Sequence, residues 1–499
     1  MAEDHFISRE SAKGALLNAA AFIGERIKSA DGHGEAMRAI VPMLLEKGEV
    51  DLAAELANQI DEPFSRDKLL TLIAIKCADL DDDEYALQLA DAIEDDGLRS
   101  QAFESVAQTK SNKDQFDKAR EIAGMMTHPD YVYSGIATGE ARLGNVEASE
   151  AALNEIEFPS AKVSALHHIA AGAIERKQSE NALPILDRAL DAADEIEHDE
   201  ERIRAFCDTG NLFIDAKRND KAIAAFDLAR EEAEQLDNVH RDNLLGDCAL
   251  GFLYAGSEDL CDRALDLVMD KTQMASALIA MGRYEWQHDK NDDAKESIDE
   301  AFEILKSQRD IETRDSRARN NLMAVIAVQF ATFGEPEKAI EAAQSNDDPN
   351  EATNALSQIA QVLTVQGNDD LARQALVEIP EDSGRLFALV GIADAKFRAE
   401  DKAAGIAFLS EAVEMADAVP QLSPRANALS DIADRFFEQG ENDRAHEVAE
   451  ASLRVISEIK DESSQAVALA YLGGIFAARN VEMSDAEGAT VKKLVDLVD

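Results

Sequence analysis

The feature that most narrows what this chain can fold into is an interval of twelve residues between two small side chains. The cleanest copy reads Ala355-Leu356-Ser357-Gln358-Ile359-Ala360, then Gly367, then Ala372; another reads Ala428-Leu429-Ser430-Asp431-Ile432-Ala433, then Gly440, then Ala445. The first small slot holds Val41, Ala74, Ala107, Ala137, Ala170, Gly210, Ala249, Gly282, Ala327, Ala360, Ala393 and Ala433. The second, twelve residues on, holds Ala53, Ala86, Ala119, Ser149, Ala182, Ala222, Cys261, Ala294, Ala339, Ala372, Gly405 and Ala445. Six of the eleven steps between successive second slots are 33 residues. A period of that size means one supersecondary unit copied along the chain, each copy burying its apolar face against its neighbours. A thirteenth first half is visible at Ala468-Leu469 and Leu472-Gly473, and its second half fades into Val481–Asp499.

Each copy predicts two antiparallel helices. Leu356, Ile359 and Leu363 fall on one helical face, the periodicity of a core-facing helix. Small residues such as Ala360 and Ala372 let two helices approach closely where they cross. Gly367 lies between them, where a left-handed helix stop is cheap for glycine. Asp369 and Asp370 open the second helix, where acids suit the N-terminal dipole. No alternating run long enough for a strand stands out. Prolines cluster between copies, as at Pro63, Pro129, Pro159, Pro380, Pro420 and Pro424.

This frame resembles the tetratricopeptide repeat, whose interval between its two small slots is the same twelve residues. The turn-glycine slot is filled at Gly48, Gly144, Gly256, Gly334, Gly367 and Gly440. The match is degenerate: Leu or Phe stands where the family has tryptophan, and the closing proline is mostly missing. The resemblance implies an all-α, right-handed α-solenoid of about twelve antiparallel helix pairs, a tetratricopeptide-like superhelix. The expected organisation is a capping helix and linker over 1–34, the solenoid over 35–478 and a capping segment over 479–499. In the first of these, Ser11–Ile27 reads as the helix and Asp31-Gly32-His33-Gly34 as a flexible joint.

Repeat length falls into two kinds. Short copies carry Ile seven residues after the second slot (Ile60, Ile93, Ile156, Ile379), and long ones carry Ala (Ala189, Ala229, Ala301, Ala412), predicting second helices one or two turns longer. A basic residue recurs eight positions before the first slot, at Arg66, Arg99, Lys162, Arg202, Arg241, Arg319, Arg385 and Arg425. A cation at a helix start needs partners. Such a stripe either grips an acidic ligand or bridges to the end of the preceding helix, and a residue copied with the frame favours the bridge.

Acidic residues number 100 against 50 basic ones, a net charge of −50. That excess argues against nucleic acid and against an anionic membrane leaflet. It leaves a salt-rich cytoplasm or a basic protein partner as its cause. Met1 to Glu10 is polar and acidic, without the pattern of a signal peptide. No apolar run is long enough to span a bilayer, so the expected compartment is the cytoplasm. The four cysteines, Cys77, Cys207, Cys248 and Cys261, lack metal-ligand spacing and read as small buried apolar residues. His167-His168 is the one close histidine pair, and its rings diverge on a helix. No phosphate loop or His-Glu-x-x-His motif is present. The expectation is therefore a protein without enzymatic activity, cofactor or metal.

In tetratricopeptide proteins the first helix of each pair lines the groove. Six residues before the first slot this chain places Arg204, Asn243, Asn321, Asn354 and Asn427; after it come Tyr254, Arg283, Trp286 and Arg398, with Phe397 and Phe437 beside them. Asparagines both donate and accept, so a row of them can hold an extended peptide backbone. Trp286 beside Arg283 would make an anchor. The aromatics equally fit packing between neighbouring first helices. The family's carboxylate clamp for chaperone tails is not found. The function implied is a scaffold or adaptor binding a protein or extended peptide. The alternatives are a structural component that assembles with itself, and a ligand-sensing regulator.

Overall fold

The computed structural model describes residues 6–307 and 316–498; residues 1–5, part of the stretch read for a leader, and 499 lie outside it. Within the described residues there are 28 helices and no strand. Twelve consecutive pairs follow the predicted frame, from Ala30–Lys47 with Val50–Asn58 to Leu422–Glu438 with Asn442–Glu458. Pro63, Pro159, Pro336 and Pro349 sit at the first helical position, where proline's missing N–H is no loss.

The crossing of each pair is set by the small slots. Ala74, Ala137, Ala249, Ala327, Ala360 and Ala433 are fully buried, as are Ala53, Ala86, Ala182, Ala294 and Ala445. At Ser149 the contact is visible atom by atom: its hydroxyl donates to the carbonyl of Ala137, twelve residues back, at 2.8 Å. A side chain added at Gly282 would meet the Ala294 carbonyl at 3.0 Å.

Every first helix ends in the same way. The residue seven after the first slot has positive φ: six glycines, and also Asp81, Asp114, Lys177, Lys217, Asp289, Glu400 and Asn480. The next N–H reaches back five residues, as in Glu49 to Leu44 (2.9 Å), Arg218 to Phe213 (2.8 Å) and Val481 to Phe476 (3.0 Å). This closure satisfies the end carbonyls of the helix. Where glycine is missing, the left-handed turn costs about 1 kcal/mol, and the buried pair on either side imposes it.

The two repeat lengths are as expected. Val50–Asn58, Asp83–Asp91 and Val146–Asn154 have 9 residues. Ser179–Asp194, Asn219–Ala233 and Asn291–Ser307 have 16, 15 and 17.

The chain divides into two compact units, Met1–Val106 together with Ala360–Asp499, and Ala107–Ile359. The described residues of the second unit, which leave out 308–315, form a run of helix pairs. The first joins the two ends of the chain. Its thirteenth first helix, Glu462–Arg479, ends at the left-handed Asn480. The next helix, Asp485–Leu497, starts too late to fill the second slot. The partner at the crossing is instead Leu16–Gly24: a side chain added at Gly473 would meet the Leu17 nitrogen at 2.9 Å and the Leu17 Cα at 3.1 Å. Leu16–Gly24 is thus the second helix of a composite thirteenth repeat, with Leu17, Ala20, Phe22 and Ile23 buried. Ser463 donates to Glu35 at 2.6 Å and Lys13 pairs with Asp496 at 2.6 Å. Asp485–Leu497 docks elsewhere, through a contact between His446 Nδ1 and buried Glu487 at 3.0 Å.

Two expectations for the first 34 residues need correction. Ser11–Ile27 is not one capping helix: it overlaps Arg9–Ala12 and Leu16–Gly24, and the latter is an interior element. Asp31-Gly32-His33-Gly34 is not a flexible joint. It forms the first turns of Ala30–Lys47, with the His33 N–H bonded to the Ser29 carbonyl and His33 Nδ1 2.9 Å from the Gly24 carbonyl.

Candidate functional site

The recurring basic residue belongs to the frame. Arg99, Arg202 and Arg425 donate to the carbonyls of Ile93, Ile196 and Val419, each six residues back, at 3.2, 2.6 and 2.8 Å. Arg319 reaches the Leu305 carbonyl and Asp347, and Arg66 reaches Glu94. A second frame residue escaped the sequence reading. Asp67 accepts from the N–H groups of Glu94 and Asp95, Asp130 from Glu157 and Phe158, and Asp242 from Met269 and Asp270. Each lies seven residues before a first slot and caps the start of the next repeat. A residue that spends its hydrogen bonds inside the stack is not free to grip a ligand.

What remains on the first helices is different in kind. In the second unit, Pro159–Glu175 and Asp199–Asp215 bound a cavity of about 520 Å³. Its walls are Val163, Ala205 and Leu212, and its polar groups include His168, Arg204, Asp208 and Asn211. Asp208 is exposed, and Asp247 on the next first helix is partly buried. Loss of water pushes both carboxyls above the usual carboxylate range, and Arg204 opposes the shift without cancelling it. Arg204 itself reaches Asp247 only at 4.0 Å.

The histidine pair splits. His167 Nε2 lies 2.7 Å from the Thr209 hydroxyl, and burial lowers its pKa to about 4. His168 instead places Nδ1 2.8 Å from the Ser164 carbonyl. Among the described residues no group of three or more His, Cys, Asp or Glu side chains could hold a metal ion. The four cysteines are free and buried, with the Cys207 and Cys248 sulfurs 3.8 Å apart.

The expected groove residues fall in both units. Arg204, Asn243, Tyr254, Arg283, Trp286, Asn321 and Asn354 lie in Ala107–Ile359; Arg398 and Asn427 lie in the other unit. Arg204, Arg283, Asn321 and Asn354 are exposed, and Asn243 and Tyr254 partly so. Tyr254 stacks against Tyr284 with ring centres 4.7 Å apart, and Tyr284 against His288 at 4.0 Å. Trp286 is half-buried with one face stacked on Phe333 at 4.3 Å. Phe437 packs edge-on against His446 and Phe476, and Phe397 fills the space beside Gly405. The aromatics are therefore largely packing residues. In the first unit Arg398 bonds the Asp394 carbonyl at 3.3 Å. Asn427 has a buried side-chain oxygen without a hydrogen-bond donor. Asp208 and Asp247 were not singled out from the sequence, although both stand two residues before a first slot in consecutive repeats.

No family model matches the sequence, and no curated protein matches it. Solved structures do. Ton1535 from Thermococcus onnurineus NA1 is 17% identical, with 70% of this chain and 97% of that one covered and a TM-score of 0.26. A signal-transduction ATPase of the STAND type with a tetratricopeptide repeat sensor, PH0952 from Pyrococcus horikoshii, is 17% identical, with 75% and 55% covered and a TM-score of 0.29. A circular tandem repeat protein is 12% identical over 98% and 96%, with a TM-score of 0.15. The tetratricopeptide-like frame rests on this chain's own slots and turns. No helix among the described residues is long and apolar enough to cross a membrane.

Proposed function

We propose that this chain is a non-enzymatic scaffold of the cytoplasm that binds a partner polypeptide on the first helices of its second unit. The observation that carries the reading is the cavity between Pro159–Glu175 and Asp199–Asp215, with part-desolvated Asp208 and Asp247 beyond the reach of full pairing to Arg204. Groups that lose water without gaining partners are an energetic cost in the free protein, and a bound ligand repays it. Asn243, Asn321 and Asn354 on later first helices supply hydrogen bonds for an extended backbone. Arg283, whose guanidinium lies beside the Gln329 side-chain amide at 3.2 and 3.3 Å, lies between them in the chain.

Assembly through the chain ends has less support, because Leu16–Gly24 already occupies the crossing at Gly473. Affinity capture with wild type and Asn243→Ala/Asn321→Ala/Asn354→Ala tests the proposal. A partner retained by wild type and lost by the folded variant supports it. A partner held equally by both, or a protein that elutes only as a homo-oligomer, overturns it.

A further inference from the structure

Two consecutive first helices of the second unit carry an acid two residues before the first slot, with one arginine acting on both. Asp208 and Asp247 stand two residues before the first slots Gly210 and Ala249 of neighbouring repeats, and Arg204 is shared between them. Below Asp208 the cavity of about 520 Å³ has the apolar walls Val163, Ala205 and Leu212, suited to the methylene stem of a long side chain. At its rim stand His168, whose Nδ1 lies 2.8 Å from the Ser164 carbonyl, and Asn211. The site is an open concavity whose volume suits the stem of one long side chain. A stem-lined cavity with acceptors at its mouth fits an ammonium or guanidinium group.

The spacing then sets a motif. Packed helices lie about 8–10 Å apart, and a chain in the extended polyproline II conformation advances about 3.1 Å per residue with three residues per turn, so side chains three positions apart share one face about 9 Å apart. A cation above Asp208 and another above Asp247 are therefore three residues apart. Resting on the scaffold reading above, we infer that this face recognises an extended segment of a partner polypeptide with the pattern basic-x-x-basic. The first basic side chain enters the cavity beside Asp208 and the second meets Asp247.

The test uses the full chain and fluorescein-labelled Gly/Ser peptides carrying Lys-x-x-Lys, Lys-x-Lys or norleucine-x-x-norleucine, read by anisotropy at physiological and raised salt. The expected result is tightest binding of Lys-x-x-Lys, by about tenfold over the others, as charge-assisted hydrogen bonds require. Asp208→Asn/Asp247→Asn should lose about that factor, while Asp259→Asn/Asp262→Asn, acids on the helix Glu258–Leu265, should not. Equal binding of the two lysine spacings, or equal loss in both double variants, means bulk charge attraction and overturns the motif. If the captured partner is still lost by Asn243→Ala/Asn321→Ala/Asn354→Ala while the peptides are not distinguished, the motif fails and the scaffold reading survives. If the capture result also fails, both fall.

Discussion

The acidic slot two residues before the first small slot is used in opposite ways by the two units. In the first unit Asp431 accepts from the Tyr471 hydroxyl, and Arg435 lies 3.7 Å from Asp431 and 3.4 Å from Asp394. Arg479 pairs with Asp434 at 2.6 Å. Burial raises the Asp431 carboxyl as it raises Asp208 and Asp247, but here a phenol and a guanidinium hold it. In the second unit Asp208 and Asp247 share Arg204, at 4.0 Å from the nearer carboxylate. One frame thus produces a face that satisfies itself and a face with acceptor capacity to spare. Position in a repeat says where a side chain stands; its neighbours in the next repeats decide whether it is occupied.

Breaking the paired face should have the largest effect. Arg435→Ala leaves Asp394 and Asp431 facing each other without their cation, and the expected cost is about 1–3 kcal/mol, read by urea unfolding. Arg204→Ala, at an exposed position, should stay within about 0.5 kcal/mol. A loss at Arg204 as large as that at Arg435 would mean that the second unit's acids depend on their cation as the first unit's do.

That contrast was only partly legible in the sequence. The helix pairs, the two repeat lengths and the glycine turns could be read because each depends on residues a few positions apart, such as Ala137 and Ser149. The basic stripe was readable as a bridge because the carbonyls that Arg99, Arg202 and Arg425 reach lie six residues back. The completion of the last repeat by Leu16–Gly24 was not, because Gly473 and Leu17 lie at opposite ends of the chain. Asp208 and Asp247 were lost among a hundred carboxylates, since only the next helix tells a paired acid from an unpaired one. Whether Trp286 serves as an anchor or as packing could not be read, because Phe333, on which it stacks, belongs to the following repeat.

A second comparison should show no difference between the units. Lys217→Gly in one and Glu400→Gly in the other relieve the same left-handed turn, and each should stabilise by about 0.5–1 kcal/mol. Gly256→Ala and Gly440→Ala should cost about 1 kcal/mol each, all four read by thermal or urea unfolding. Unequal responses would mean that the turn closes differently in the two units.

The smallest effect is a pH dependence. Asp208 and Asp247 have native pKa values raised by desolvation, so the folded state binds protons more readily than the unfolded one. Their contribution to stability therefore falls as pH rises from the ordinary carboxylate value through the raised native value. Asp208→Asn/Asp247→Asn removes that fall. The variant's Tm should gain on wild type between acid and neutral pH, and a parallel pair of Tm curves would show that neither carboxyl is desolvated.

The central claim is that the face whose two acids share one distant arginine is the one that binds. A photo-cross-linking side chain placed at Asn243 of the second unit, and separately at Asn427 of the first, tests it in the cell. The account predicts a partner adduct from position 243 that Asp208→Asn/Asp247→Asn abolishes, and none from position 427. Adducts of equal strength from both positions, or one at 243 that survives the double substitution, would contradict it.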